Sequence, residues 1–140
     1  MAKIDIDALP QVAVGFMNED HREEARLLNV VTTALTALLD GRAGRAEVTR
    51  AWRALEQHTR AHFAREERAM AQTSFPPFEV HRAEHELVLT AMQAELLAFE
   101  EGGEAERLAR YVESAMPDWF YRHIETMDFV TARYLAARGV

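Results

Sequence analysis

The chain has 140 residues, no cysteine, six histidines, and 23 acidic against 16 basic side chains, for a formal net charge of −7. The length fits one domain that holds a core without disulfides. The missing thiols exclude zinc ribbons, iron–sulfur clusters and cysteine nucleophiles, so any metal here is held by nitrogen and oxygen. Residues 1–17 contain Pro10 and Gly15 and lack a helical period, which predicts an extended N-terminal arm. The opening MAKIDIDALP has no signal-peptide pattern. No apolar run approaches the roughly 20 residues that cross a bilayer. The expectation is a cytoplasmic protein with no membrane partner.

Asn18 reads as the N-cap of a first helix, with Glu19 and Asp20 complementing its positive end. His21, Leu28, Val31, Leu35 and Leu38 share one face until Gly41 stops it. A second helix is predicted from about Arg45 to Gln72, with Val48, Trp52, Leu55, Thr59, His62, Glu66 and Met70 on one stripe. Pro76-Pro77 separates it from a third helix, whose face is Phe78, His81, His85, Val88, Met92, Leu96 and Phe99. Gly102-Gly103 closes that helix. The fourth runs from about Glu104 to Arg138 with Leu108, Val112, Ala115, Trp119, His123, Met127 and Val130 inward. Pro117 predicts a kink or break within it.

The pattern predicts an all-α, antiparallel up-down-up-down four-helix bundle over residues 18–138, the arm lying on it, as a single domain 1–140. Arginines alternate with glutamates in REEAR (22–26) and AREERA (64–69), which reads as solvated helix faces laced with ion pairs. With an acidic balance as well, no nucleic-acid partner is expected.

Five histidines and two carboxylates fall on or beside stripes that otherwise read as core: His21, His62, Glu66, His81, His85, His123 and Asp128. A lone histidine there is ordinarily a hydrogen-bonded core residue. An unpaired buried carboxylate is costly, and seven such residues need one explanation. Their positions from the helix ends place all of them toward the same end of an antiparallel bundle, within about 5–22 Å of it at 1.5 Å per residue. Imidazole with carboxylate suits iron, manganese or zinc. Seven donors exceed one ion's needs, whereas two ions sharing both carboxylates and one oxygen bridge leave a single open position. No residue three before a histidine is acidic (Asn18, Leu55, Thr59, Phe78, Arg82, Phe120), which excludes the Glu-x-x-His design of ferritin-like sites. His123 and Asp128 are five apart and point different ways on a regular helix, so a distortion such as a π-bulge is expected between 117 and 128.

NEDH at 18–21, HFAREERAM at 62–70, FPPFEVHRAEH at 75–85 and WFYRHIETMD at 119–128 together resemble the hemerythrins, the single-domain bacterial ones above all. The resemblance implies a non-heme di-iron protein that binds O2 reversibly. His81, His85 and His123 would hold one iron, His21 and His62 the other, and Glu66, Asp128 and an oxo or hydroxo group would bridge them. It also implies an O2 pocket walled by Phe63, Trp119, Phe120 and Ile124. Phe120 stands where the family usually has leucine, and His58 where it often has tyrosine. His58 is open to two readings, a partner of the iron-holding residues or a surface histidine on a helix edge.

The leading functional expectation is oxygen storage, delivery or sensing without catalysis, with O2 or another small diatomic as the partner. The alternatives are a di-iron enzyme reducing peroxide or nitric oxide, and a protein of iron homeostasis. No protein partner is identified by the sequence.

Overall fold

The computed structural model describes residues 1–140, and every element in it is helical. The first helix, α1 (Gly15–Leu39), begins three residues before the expected N-cap at Asn18. Val14 takes the extended cap position instead and offers no side-chain cap. Asn18 has different work: its Oδ1 accepts from the Val12 N–H and its Nδ2 donates to the Val12 carbonyl, both at 2.9 Å. An extended arm has no neighbouring strand to satisfy its backbone, so a side-chain amide supplies both halves of a ladder pair. Asn29 repeats the device one level along, pairing with the Ile4 N–H at 2.8 Å and the Ile4 carbonyl at 2.9 Å. Between the two clamps the arm makes one 3₁₀ turn (Ile6–Ala8) and buries Leu9, Val12 and Val14.

Gly41, at φ 71°, terminates α1 in the left-handed region that a Cβ disfavours. The next two helices are α2 (Arg45–Gln72) and α3 (Phe78–Glu100). Their inward stripes are as the spacing predicts, with Val48, Trp52, Leu55 and Met70 buried on α2 and Val88, Met92, Leu96 and Phe99 on α3. At the closed end, the Arg45 guanidinium lies over the Phe99 ring and donates to the carbonyls of Phe99 and Gly103. The Phe99 carbonyl, in the last turn of α3, also accepts from the Gly102 N–H, and the Gly103 carbonyl lies just past the helix end.

The last rod is helical from end to end but not uniformly α. It reads α4 (Ala105–Arg110), a π segment (Tyr111–Ala115), α5 (Met116–His123), a second π segment (Ile124–Asp128) and α6 (Phe129–Ala136). The irregularity expected at Pro117 is the first of these wide turns, which immediately precedes the proline. Each π turn retards the rotation of the helix, so the buried stripe is Leu108, Val112, Met116, Phe120, Ile124 and Asp128. That corrects the inward face expected from a single 3.6-residue period. Ala115 and Val130 are exposed and Met127 is half-buried.

The helices pack with α1 and α3 each against α2 and against the last rod, in antiparallel sequence. Two apolar clusters result. The larger gathers Leu28, Val31, Leu35, Trp52, Leu55, Met92 and Leu108 toward the α1–α2 turn. The smaller joins the arm (Leu9, Val12, Val14) to Met17, Phe120, Ile124 and Leu135. A polar layer of histidines and carboxylates lies between them.

Replacing Asn18 with alanine removes both bonds to Val12 while leaving α1 helical. The expected cost is about 1–2 kcal/mol of stability, with faster amide exchange at Val12, measurable by denaturant unfolding and hydrogen exchange.

Candidate metal centre

Each main element delivers its share to the polar layer. His21 comes from α1, His62 and Glu66 from α2, His81 and His85 from α3, His123 from α5, and Asp128 from the second π segment. The helical i, i+4 spacing sets His62 over Glu66 and His81 over His85. The π segment Ile124–Asp128 does the corresponding work for the pair five apart, turning Asp128 toward the side on which His123 already points. The distortion expected between 117 and 128 is thus present at the residues that need it. All seven side chains are at most 5 % exposed.

The two carboxylates divide their oxygens. Asp128 Oδ2 lies 2.9 Å from His21 Nε2, and Oδ1 lies 3.1 Å from both His81 Nε2 and His123 Nε2. Glu66 Oε2 lies 2.8 Å from His62 Nε2, while Oε1 is 3.4 Å from His85 Nε2 and 3.6 Å from His81 Nε2. One oxygen of each therefore faces the two-histidine side and the other faces the three-histidine side. The donor atoms form two compact groups that share Glu66: Glu66, His81, His85, His123 and Asp128 in one, and His21, His62 and Glu66 in the other.

Three buried atoms test whether a cation suits the cluster. Glu66 Oε1, His85 Nε2 and Asp128 Oδ1 have no hydrogen-bond partner within the protein, although each faces the same small region. Orphaned buried acceptors and imidazole nitrogens are costly in a core, and a hard or borderline cation satisfies them together. The residues present fit such a group.

Electrostatics point the same way. Burial and the nearby Asp128 push the Glu66 carboxyl up, but the charge and hydrogen bond of His62, with the His85 imidazole close by, outweigh them and leave it at about 2. Burial likewise opposes ionisation of Asp128, yet the close imidazoles of His123 and His81 and the hydrogen bond from His21 hold it well below the usual carboxylate range. Desolvation works against protonated His62, and the carboxylates Glu66 and Glu24 at its two ring nitrogens overcome it, raising it well above an ordinary histidine. The two carboxylates are held ionised by the imidazoles around them, and a divalent or trivalent cation would supply positive charge at the same place.

The far sides of the rings have their own partners, and the sequence reading missed most of them. His85 Nδ1 donates to Glu67 Oε2 at 2.9 Å, and His81 Nδ1 bonds Thr131 Oγ1 at 2.8 Å. His62 Nδ1 faces Glu24 Oε2 at 3.6 Å, and Glu24 Oε1 accepts from the Thr59 hydroxyl at 2.5 Å. Such contacts fix the ring orientation and raise the basicity of the other nitrogen. Glu24 corrects the reading of REEAR as a wholly solvated run. Glu23 pairs with Arg26 at the surface, whereas Glu24 is buried at 4 % exposure. The available signal was its position three residues after His21, on the same face. Asp20, also buried, is held by a bidentate Arg65.

The aromatic residues expected around the site are beside it. Phe63 stacks flat on His85 (centroids 3.8 Å, 3° between planes), and Trp119 stacks on His123 at 4.5 Å while its Nε1 donates to Glu84. Phe120 meets the edge of His21 at 5.9 Å, and Ile124 is fully buried. His58 is half-buried rather than on the surface: its Nε2 bonds the Asp20 carbonyl at 3.1 Å and sits 3.5 Å from Glu24 Oε2.

A helical bundle whose midline holds a histidine-rich donor set with two shared carboxylates defines a class of metal-binding bundle. The chain matches the family model described as the hemerythrin HHE cation binding domain over residues 12–135, and it belongs to the hemerythrin family. It is 36 % identical over 107 residues to a bacteriohemerythrin of Ralstonia nicotianae (strain ATCC BAA-1114 / GMI1000), covering 76 % of this chain and 75 % of that one. A bacteriohemerythrin of Aquifex aeolicus (strain VF5) is 24 % identical over 123 residues, covering 86 % and 88 %. No solved structure matches the chain. No helix is long and apolar enough to cross a membrane.

Two outcomes are expected of this layer. Glu66 and Asp128 bind protons less readily folded than unfolded, so in metal-free protein their stabilisation is complete above their ordinary values of 4.5 and 3.8 and is lost as pH falls through the lowered ones, about 2 for Glu66. The thermal midpoint of metal-free protein therefore drops progressively below about pH 4.5, and metal loading raises the midpoint at neutral pH and steepens its fall with acid, because the ion competes with protons for the same ligands. Glu67→Ala, which strips His85 Nδ1 of its acceptor, lowers metal affinity by about 10–100-fold in a competitive chelator titration.

Proposed function

We propose that this chain holds two iron ions and binds O2 reversibly. In this reading His81, His85 and His123 ligate one iron and His21 and His62 the other. Glu66 and Asp128, with an oxo or hydroxo group, bridge the pair. The observation that carries the reading is the split of both carboxylates between a three-histidine and a two-histidine side, at distances of 2.8 to 3.6 Å. With both carboxylates shared, an ion on the three-histidine side would meet more protein donors than one on the two-histidine side, where a small ligand would find room. When bound, the iron pair supplies the electrons and the open position that a diatomic ligand requires.

The protein's own residues do the rest. Phe120 against His21, Phe63 beside His62 and the fully buried Ile124 line the two-histidine side with hydrocarbon. Such walls exclude water and the protons that convert a carrier's ligand into released peroxide. Trp119 holds the His123 ring by stacking and anchors itself on Glu84. His58 bonds the Asp20 carbonyl and faces Glu24, tying α1 to α2 behind His62. Oxygen storage, delivery or sensing is the role that suits a closed site with one small-ligand position.

Anaerobic reduction followed by admission of O2 tests the reading. The expected result is two irons per chain and a coloured adduct that disappears when O2 is withdrawn; rapid irreversible conversion to the oxidised form overturns reversible binding. Phe120→Leu, which shortens the wall over His21, changes the adduct lifetime in stopped-flow spectra, and an unchanged lifetime removes Phe120 from the pocket.

A further inference from the structure

Behind His62, between α1 and α2, lies a second and smaller donor group: Glu24 from α1 with His58 and His62 from α2, whose ligand atoms lie within 4.8 Å of one another. His58 is the one histidine of the six outside the central layer, and its i, i+4 spacing sets it one turn from His62 on the same face of α2. Glu24 Oε2 stands 3.5 Å from His58 Nε2 and 3.6 Å from His62 Nδ1. A carboxylate bonded directly to an imidazole N–H closes to about 2.7–2.9 Å. Ligands held at about 2.0–2.1 Å around one ion stand about 3.3–3.4 Å apart at a tetrahedral angle, which is close to the spacing between these atoms.

Two of the three atoms are orphans. Glu24 Oε2 and His62 Nδ1 are buried and have no hydrogen-bond partner within the protein. The other oxygen of Glu24 accepts from the Thr59 hydroxyl, which fixes the carboxylate with Oε2 aimed at the two rings. Glu24 is 4 % exposed, and its charged partners are those two histidines. Asp20, one turn earlier on α1, has a guanidinium of its own in Arg65. A carboxylate at the depth of Glu24 needs positive charge facing its free oxygen, and no arginine or lysine brings it there.

We propose that Glu24 Oε2, His58 Nε2 and His62 Nδ1 form an accessory site for one divalent cation of the zinc class, apart from the ions of the central layer. Two imidazoles and one carboxylate are a donor set that such borderline cations take. Solvent reaches the site past His58, whose side chain is 13 % exposed, and supplies the remaining ligand. On binding, His58 gives up its Nε2 contact with the Asp20 carbonyl and carries its proton on Nδ1. The Nδ1 proton of His62 leaves to solvent as the cation enters. The His62 ring is then shared, with Nδ1 on the accessory ion and Nε2 toward Glu66 and the central layer.

Equilibrium dialysis of the iron-loaded chain against Zn²⁺, with iron and zinc counted separately by elemental analysis, tests the site. One zinc per chain is expected with the iron content unchanged. X-ray absorption at the zinc edge then shows nitrogen and oxygen neighbours at about 2.0–2.2 Å, two of them imidazoles. His58→Gln keeps an amide N–H for the Asp20 carbonyl but has no ring nitrogen, and Glu24→Gln keeps an acceptor for Thr59 but has no charge; each loses the zinc. Where Glu24→Gln also loosens the central layer, the more exposed His58→Gln decides. Should the central layer take up zinc in place of iron, the unmodified chain still carries one zinc more than His58→Gln, so failure of the iron reading is separate from failure of this one. No zinc bound beyond the central layer, zinc that enters only as iron leaves, or zinc retained in full by His58→Gln overturns the proposal.

Discussion

Burying two carboxylates in the middle of a small helical bundle is the constraint on which the rest of the structure depends. Glu66 and Asp128 are at most 1 % exposed, and an unpaired charge at that depth is incompatible with a stable core. Their oxygens are met by histidine nitrogens from all four rods. Every helix is thereby registered against the same few ångströms. Sliding α3 by one turn, for example, would leave only one of His81 and His85 within reach of Asp128 Oδ1 and Glu66 Oε1. Apolar packing alone tolerates such slips far better, because it is not directional.

The bundle accommodates this layer by dividing its hydrocarbon. The larger apolar cluster closes one side and the smaller one, with the arm laid over it, closes the other. The arm therefore belongs to the site as well as to the fold: Leu9, Val12 and Val14 share their cluster with Phe120 and Ile124. Flat aromatic stacks at His85 and His123, carboxylates at His85 and His62, and a hydroxyl at His81 restrain the rings from behind. Rings held in this way present their Nε2 atoms with little freedom left to lose on binding an ion.

Helix count, order and most boundaries follow from the sequence, since apolar period and Gly/Pro punctuation are local properties: Arg45–Gln72 and the start at Phe78 are examples. The seven buried His, Glu and Asp residues also stand out, because each is polar at or beside an apolar stripe. The start of α1 and the inward face of the last rod are not legible in that way. Asn18 is a good cap by local rules, but its amide pairs instead with Val12, six residues back, once the arm turns over the start of α1 and buries Val12 and Val14. The stripe through Met116, Phe120 and Ile124 depends on two π turns, which a uniform 3.6-residue period does not foresee. Glu24 looks like a solvated charge until α1 meets α2, and Glu67 until α2 meets α3. The sequence by itself determined the donor set and its one-ended placement, because residue type and helical period are written along the chain. Only the tertiary structure decided which carboxylate oxygen faces which histidine and what supports each ring, because those contacts join residues from different helices.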